Sequence, residues 1–246
     1  KRTELIGRRL SASRNLINSL IDNWNKKDLG FPTDKFPPEK SIYLSLLKGT
    51  GIHRLDGNDY ILDKPTSDSF KELWDAGLHF LEEAKDVKKK TNELIDRLKD
   101  KPFKLKDGLI EFWVPIFLYI NRNLFAIYSV DNGEDHYNPV INKEFLELLI
   151  KNPKSYKIKT FNFSEGRLKL FNNYRKLLNQ IEEEHPDNKT FIETIKPFFG
   201  FYKGLTDYAK NTENLSNKAL RFRTALENAN DPERLFFEDI PKALIY

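Results

Sequence analysis

The chain has 246 residues, 32% of them charged and 39% hydrophobic, with a net charge of +4, a composition typical of folded globular proteins. Its longest apolar run, residues 110–120 with Glu111 discounted, is far shorter than the roughly 20 residues of a bilayer span, and the basic N-terminus lacks the apolar block of a signal peptide. There is no cysteine, which excludes disulfides, thiolate zinc sites, iron–sulfur clusters and a cysteine nucleophile. We expect a cytoplasmic protein of one large domain or two to three small ones.

Methionine is missing as well, even at position 1. Two explanations stay open: the sequence is a fragment of a longer protein, or modified methionines were left out of it. In the second case, each omitted methionine shortens the apparent spacing between the residues on either side of it, so the register of a predicted helix is shifted there.

The first predicted segment, residues 1–65, combines helices with a tight hairpin. Apolar spacing favours a helix, or two short ones, over 3–25, and a further helix that begins at Pro38. The stretch 51–63 reads GIHRLDGNDYILD, in which two short apolar arms flank an Asp-Gly pair that favours a hairpin turn. A helix followed by a small basic hairpin is typical of a winged-helix module.

The second predicted segment, residues 66–163, repeats the order of helix, helix and hairpin. Capping residues predict helices near Ser67 and at Thr91, and the apolar stretch 109–120 predicts a buried helix that kinks or begins afresh at Pro115. A hairpin with the turn DNGED follows, and then a helix and the alternating strand SYKIKTFNF. The repeated order predicts two winged-helix-like units in tandem.

The third predicted segment, residues 164–246, has helical periodicity throughout. One helix is predicted over 167–184, and Pro197 and Gly200 are expected bend points in a later one. The aromatic residues within 198–202 favour core packing over a ligand-binding stripe. The predicted fold class is mainly α with small β-hairpins, as tandem winged-helix-like units followed by a helical bundle.

Motifs for catalysis and for cofactor binding are missing from the sequence. The four histidines share no metal-binding spacing, the stretch KGTGIHR lacks the lysine and the serine or threonine of a phosphate loop, and no GxSxG occurs. Carboxylates such as 182–184 and Glu238-Asp239 lie in charged contexts that indicate solvated faces. We therefore predict no catalytic, cofactor-binding or metal-binding residue in this chain.

Positive charge is concentrated in the middle of the sequence. Residues 85–106 carry nine basic and four acidic side chains, and residues 143–176 carry nine basic and three acidic ones. By contrast, residues 180–246 carry nine basic and twelve acidic side chains. Lysine-rich runs are most often solvated surface, but they also attract nucleic-acid phosphates. The residues that we predict as nucleic-acid contacts are Lys40, Lys48, His53, Arg54, Lys88, Lys89 and Lys90.

Base-specific readout of DNA has little support in the sequence. The helix over 109–120 is almost entirely apolar, so it belongs to the core and cannot lie in a groove. The helix before the first hairpin offers lysines and serines, whereas base recognition usually needs Arg, Asn or Gln. We therefore expect the two hairpins to pack within the fold or to contact partner proteins, rather than to recognise DNA sequence.

Three stretches carry a resemblance to a known family: FPPEKSIYLSLLKGTGIHR, PFKLKDGLIEFWVPIFLYINRNLFAIY and FIETIKPFFGFYKGLTDYAKNTENLSNKALRFRTALENANDPERLFFEDIPKALIY. They resemble a region of very large bacterial ATP-binding proteins, among them P-loop ATPases of phage-exclusion and related defence islands. In such proteins an ATPase region precedes winged-helix and helical regions that couple it to partners or DNA. The resemblance implies a non-catalytic fragment whose ATP-binding residues lie outside this chain.

The sequence thus predicts a non-enzymatic interaction or coupling module, a fragment of a large ATP-binding protein of an antiviral system. Its expected partners are other domains of that ATPase, partner proteins or the backbone of duplex DNA, and not a membrane. One alternative is a DNA-binding protein in its own right, such as a replication initiator or regulator with tandem winged helices. A minor alternative is a hydrolase that works without metal or cysteine.

Overall fold

Helices form most of the protein, and two small antiparallel sheets of two and four strands complete it in the computed structural model. This confirms the prediction of a mainly α fold with small β-hairpins. Among the described residues, no helix combines the length and the apolar character that crossing a membrane requires. The structure describes the backbone of residues 2–85, 87–161, 164–177 and 188–245, and side chains from residue 11 onward except 86, 162–163, 176–190 and 246.

The helices follow the predicted order along the chain. Their bounds are Arg2–Asn23 (α1), Pro38–Tyr43 (α2), Asp68–Glu83 (α3), Thr91–Lys99 (α4), Asp107–Ile120 (α5), Lys143–Lys151 (α6), Glu165–Leu177 (α7), Asn188–Gly204 (α8), Asp207–Asn211 (α9), Asn217–Glu227 (α10), Pro232–Arg234 (α11) and Ile240–Ile245 (α12). Wider π-helical turns extend α2 over Leu44–Lys48 and join α11 to α12 over Leu235–Asp239. Of the helix predicted over 167–184, residues 178–184 lie outside the described part of the chain.

Both predicted hairpins are present. The two-stranded sheet consists of His53–Asp56 (β1) and Asp59–Leu62 (β2). The four-stranded sheet has the order β3-β6-β4-β5, with strands Lys89–Lys90 (β3), Ala126–Asp131 (β4), Glu134–Tyr137 (β5) and Tyr156–Lys159 (β6).

Turn residues explain why the chain reverses at these two points. The loop between β1 and β2 has a φ of 59° at Gly57, a value that glycine adopts without strain. The loop between β4 and β5 has positive φ at both Asn132 (49°) and Gly133 (88°), as a type I′ turn requires. Asn-Gly is the preferred pair for such a turn, so the sequence DNGED specifies the second hairpin locally.

The chain forms two compact units, each of which is discontinuous in sequence. The first comprises residues 1–82, 90–121 and 140–154, and the second comprises residues 83–89, 122–139 and 155–246. This division differs from the predicted consecutive segments 1–65, 66–163 and 164–246, because elements far apart in sequence, such as α1 and α6, pack together. Helices α3, α4 and α5 belong to the first unit and the β4–β5 hairpin to the second.

The first unit is built around α5, on which α1, α4 and α6 pack. Phe112, Trp113 and Phe117 of α5 are at most 3% exposed, which confirms the predicted buried helix. The helix runs through Pro115, so no new helix begins at that proline. Gly77 of α3 faces Phe117, and a Cβ atom there would lie 2.5 Å from its ring, so close packing requires glycine at that position.

The second unit has an aromatic core. Phe161 and Phe171 pack edge-on against Phe191, with ring centroids 4.9 and 5.5 Å apart, and Phe236 packs against Phe171 at 5.6 Å. Helix α8 is continuous through the predicted bend points. In its aromatic stretch, Phe199 is 6% exposed, so part of the stripe is core as expected.

Candidate functional site

Lys40 is a buried cation of the first unit. It is 6% exposed, and its ammonium donates to the backbone carbonyls of Pro32 and Lys35, the second at 3.0 Å. It also lies 4.1 Å from the centroid of the Phe36 ring. These contacts hold the loop before α2, and an ammonium that is buried against carbonyls has little surface left for a phosphate.

His53 is buried at the start of β1 and is 2% exposed. Its Nδ1 lies 2.8 Å from the hydroxyl of Tyr43, its Nε2 lies 2.8 Å from the carbonyl of Trp24, and its ring stacks on Tyr60. Burial lowers the pKa of His53, so the imidazole is neutral near pH 7. The neutral ring donates through Nε2 to Trp24 and accepts from Tyr43 at Nδ1, which ties the hairpin to the helices before it.

Lys48 and Arg54 are partly exposed cations that are matched by carboxylates. Lys48 lies 2.7 Å from Asp28, and this hydrogen bond lowers the pKa of Asp28. Arg54 donates to Asp63 and to the carbonyl of Gly51, both at 2.8 Å, and so bonds the two ends of the hairpin together. All four predicted contacts of the first unit therefore have acceptors within that unit.

The three lysines at 88–90 have separate surroundings. Lys89 pairs with Glu83 at 2.6 Å, whereas Lys90 is exposed. Lys88 donates to Asp135 at 3.0 Å and lies 3.9 Å from the centroid of the Tyr128 ring. Through these contacts Lys88 belongs to a larger group of charges in the second unit.

This group is an ion network in which Asp135 lies between two lysines, with Lys157 on the other side at 2.9 Å. Burial opposes ionisation of Asp135, but the hydrogen bonds from Lys157 and Lys88 outweigh it and lower the pKa of Asp135. The described members of the network are Lys88, Lys157, Lys159, Arg167, Asp135, Asp231 and Glu233.

Asp231 organises this network. Its Oδ1 accepts from the backbone amides of Glu233 and Arg234, at 2.9 and 3.1 Å, and so caps α11. Its Oδ2 accepts from the hydroxyl of Tyr128 at 3.0 Å, and burial raises the pKa of Tyr128, so that hydroxyl keeps its proton. Lys88 and Lys159 each lie at a longer 3.8 Å from Oδ2 of Asp231.

An open cleft of about 330 Å³ lies beside the ion network (the network cleft). Four of its lining side chains are cations and three are carboxylates, which gives a net charge of +1. The lining residues are Lys88, Lys159, Arg167, Asn230, Asp231, Glu233, Arg234 and Glu238.

A second open cleft of about 460 Å³ lies where α10 packs against the C-terminal residues 235–245 (the arginine cleft). Three of its lining side chains are cations and one is a carboxylate, and Arg234 lines both clefts, so the clefts meet there. The lining residues are Arg221, Thr224, Ala225, Asn228, Arg234, Asp239, Lys242 and Ala243.

The cations of the arginine cleft have few internal acceptors. Nε of Arg221 is buried and has no hydrogen-bond partner among the described residues. Nε of Arg234 lies 3.4 Å from Asp239, and Nζ of Lys242 lies 3.4 Å from Glu238. The Arg234 and Lys242 side chains are 62% and 69% exposed, so both are accessible to a ligand.

Sequence reasoning found Lys88 and missed the other cations that line the two clefts. Lys159 and Arg167 belong to the basic segment 143–176, so a finer use of the charge count could have found them. The acid-rich C-terminal segment contains Arg221, Arg234 and Lys242. A charge count over the whole segment could not show that these cations come together in the fold.

Two further observations bear on the class of the protein. The described residues place no three His, Cys, Asp or Glu side chains where they could hold a metal ion together. Comparison with protein families, with curated proteins and with solved structures finds no match for this chain. The fold and the site thus define a mainly α protein with two open cationic clefts that meet at Arg234.

Proposed function

We propose that this protein is a non-catalytic interaction module whose second unit binds the phosphate backbone of nucleic acid. The observation that carries the proposal is the pair of open clefts that meet at Arg234. Together they are lined by six cations and four carboxylates. Two adjoining clefts with an excess of cations suit a repeated anion better than a single small one.

The types of cation support phosphate as the partner chemistry. Three of the six are Arg167, Arg221 and Arg234, and a guanidinium donates paired hydrogen bonds that match the oxygens of a phosphate. Contacts to phosphate position a protein on a strand without reading its sequence. We therefore propose binding that depends strongly on salt and weakly on base sequence.

A DNA contact through the β1–β2 hairpin is the weaker alternative. Lys40 and His53 are buried and bonded within the first unit, and Arg54 is bonded to Asp63 and Gly51. Lys48 is the most exposed of the four, with half of its side chain accessible, and it pairs with Asp28. A wing contact would have to compete with these bonds.

The sequence resemblance supports a further part of the proposal, in which the module couples a large bacterial ATPase of an antiviral system to nucleic acid. The alternative of a metal-free hydrolase has little support in the clefts. Glu233, Glu238 and Asp239 each pair with a cation, and Asp231 is occupied by three hydrogen bonds. Such carboxylates are poorly placed to act as a general base.

The test is fluorescence anisotropy with labelled single-stranded and duplex oligonucleotides across a salt series. We expect the logarithm of the association constant to fall linearly with the logarithm of the salt concentration. Arg234→Gln is expected to lower the affinity and to reduce the steepness of this line by about 1. Lys218→Gln is the matched control, because Lys218 is exposed on α10 and does not line either cleft.

The double variant Lys48→Gln, Arg54→Gln tests the hairpin in the same assay. Loss of binding in the double variant, with Arg234→Gln unaffected, would transfer the interface to the hairpin. No binding by the unmodified chain even at low salt would reject the proposed function.

A further inference from the structure

The two clefts differ in charge balance, and the difference has a chemical meaning. Four cations and three carboxylates line the network cleft, whereas three cations and one carboxylate line the arginine cleft. Counted over the lining residues alone, their net charges are +1 and +2, with Glu238, the partner of Lys242, counted in the network cleft that it lines. A backbone phosphodiester carries one negative charge, whereas a phosphate monoester carries about −1.5 to −2 at pH 7. The arginine cleft therefore matches the monoester.

Arg221 provides a second and independent indication of a ligand. Its Nε is buried without a hydrogen-bond partner among the described residues, although a buried N–H of a charged group is costly to leave unpaired. Neighbouring polar side chains do not fill this need. Neither Thr224 nor Asn228 accepts from Nε of Arg221, and their own donors bond to the carbonyls of Leu220 and Thr224. An anionic acceptor in the cleft would complete the site.

We propose that the arginine cleft binds a dianionic phosphate monoester through Arg221, Arg234 and Lys242. Its volume of about 460 Å³ lies within the usual range of small-ligand sites and accommodates a phosphate with an attached sugar. The proposal rests on the proposed function for the source of the monoester, which is the phosphorylated end of a nucleic-acid strand. Because Arg234 lines both clefts, the strand that begins in the arginine cleft continues along the network cleft.

This assignment predicts a pH dependence that comes from the ligand. The second proton of a phosphate monoester binds with a pKa of about 6, so its charge falls to about −1 at lower pH. No histidine lines the cleft. The charged groups that line it or pair with its lining residues are Arg221, Arg234, Glu238, Asp239 and Lys242.

The test compares two oligonucleotides that differ only in a terminal phosphate or hydroxyl. At low salt and pH 7.5 we expect the phosphorylated strand to bind about tenfold more tightly, the effect of one further charge-assisted contact. The preference is expected to shrink at pH 5.5 and to disappear in Arg221→Gln. Lys218→Gln keeps it, and Lys242→Gln, an exposed substitution with little effect on folding, reduces it.

A second arm identifies the source of the monoester. Inorganic phosphate and adenosine monophosphate are titrated separately while the Arg221 side-chain N–H signal is followed by NMR. A shift with either ligand supports the cleft as a monoester site. Arg221→Lys, which keeps the charge but lacks Nε–H, removes the signal and so assigns it to Arg221.

The outcomes separate the two proposals. Equal affinity for both strands overturns the monoester site and leaves the proposed function standing. If neither strand binds, the proposed function is rejected. The NMR titration alone then decides whether the arginine cleft binds a phosphate monoester. No shift of the Arg221 signal with either inorganic phosphate or adenosine monophosphate also overturns the monoester site.

Discussion

The β1–β2 hairpin and the arginine cleft contain the same types of cation in opposite surroundings. Around the hairpin, each cation has its acceptor within the first unit: carbonyls for Lys40, Asp28 for Lys48 and Asp63 for Arg54. In the clefts of the second unit, cations outnumber carboxylates, and Nε of Arg221 has no described acceptor. A basic residue supports the fold where its acceptors are internal and is available for binding where they are not.

This difference separates stability from binding in experiments. Removing a buried side chain at the hairpin, such as His53, breaks its internal hydrogen bonds, so the free energy of unfolding falls. Removing an exposed cation of the arginine cleft, such as Lys242, breaks only a 3.4 Å surface ion pair, so stability changes little while affinity for an anion falls. The following substitutions test that separation, from the largest expected effect to the smallest.

His53→Ala is expected to have the largest effect. It removes a stacked ring that is 2% exposed, takes the Nε2–H donor from the carbonyl of Trp24, and leaves the hydroxyl of Tyr43 with only its longer 3.3 Å contact to Asp28. We expect the free energy of unfolding to fall by about 3 kcal/mol, measured by urea denaturation. Binding of oligonucleotides by the folded variant is expected to remain unchanged.

His136→Ala is the matched control, because His136 is exposed. It is expected to alter the free energy of unfolding by less than about 0.5 kcal/mol. Equal losses in the two variants would contradict a structural role for His53, and a loss of binding in His53→Ala alone would restore the hairpin as an interface.

The sequence predicted much of the fold because its signals are local. The predicted Asn-Gly pair forms the second turn, whereas the first turn falls on residues 57 and 58, one position after the predicted start at Asp56. Pro38 and Asn142 mark helix starts through their own backbone geometry or side chains. The division into two units was beyond such signals, because it depends on α6 returning to α1 across the sequence. The roles of the cations were hidden for the same reason, since Asp28 lies 20 positions from its partner Lys48.

Glu233→Gln is expected to have the next largest effect, with opposite signs for stability and binding. Glu233 accepts from Lys159 and Arg167, so its neutralisation removes two ion pairs of the network cleft. We expect a stability loss of about 1–2 kcal/mol together with tighter oligonucleotide binding and a salt slope about one unit steeper. Denaturation and the anisotropy salt series measure the two effects.

Glu213→Gln controls for the change in net charge, because Glu213 is exposed and does not line either cleft. Comparable gains in affinity in both variants would show that overall charge governs binding, and the clefts would then lose their special role.

A smaller effect is expected from protonation of His53. Burial lowers its pKa from the ordinary 6.5, so the unfolded chain takes up this proton more readily than the folded one. The free energy of unfolding therefore falls as pH decreases below about 6.5 and levels off below the folded pKa. Denaturation of the unmodified chain and of His53→Gln between pH 7.5 and 5 isolates this contribution, and parallel curves would contradict it.

The smallest effect is expected from Lys48→Gln. Lys48 pairs with Asp28 at 2.7 Å, but half of its side chain is exposed, and water screens such pairs. We expect a loss of about 0.5 kcal/mol in unfolding free energy, and a similar coupling energy in a double-mutant cycle with Asp28→Asn. Lys48 also lowers the pKa of His53 by charge repulsion, so its removal should weaken the pH dependence described above. A coupling energy well above 1 kcal/mol would show that this pair is part of the buried framework, and Lys48 would then be unavailable to any external phosphate.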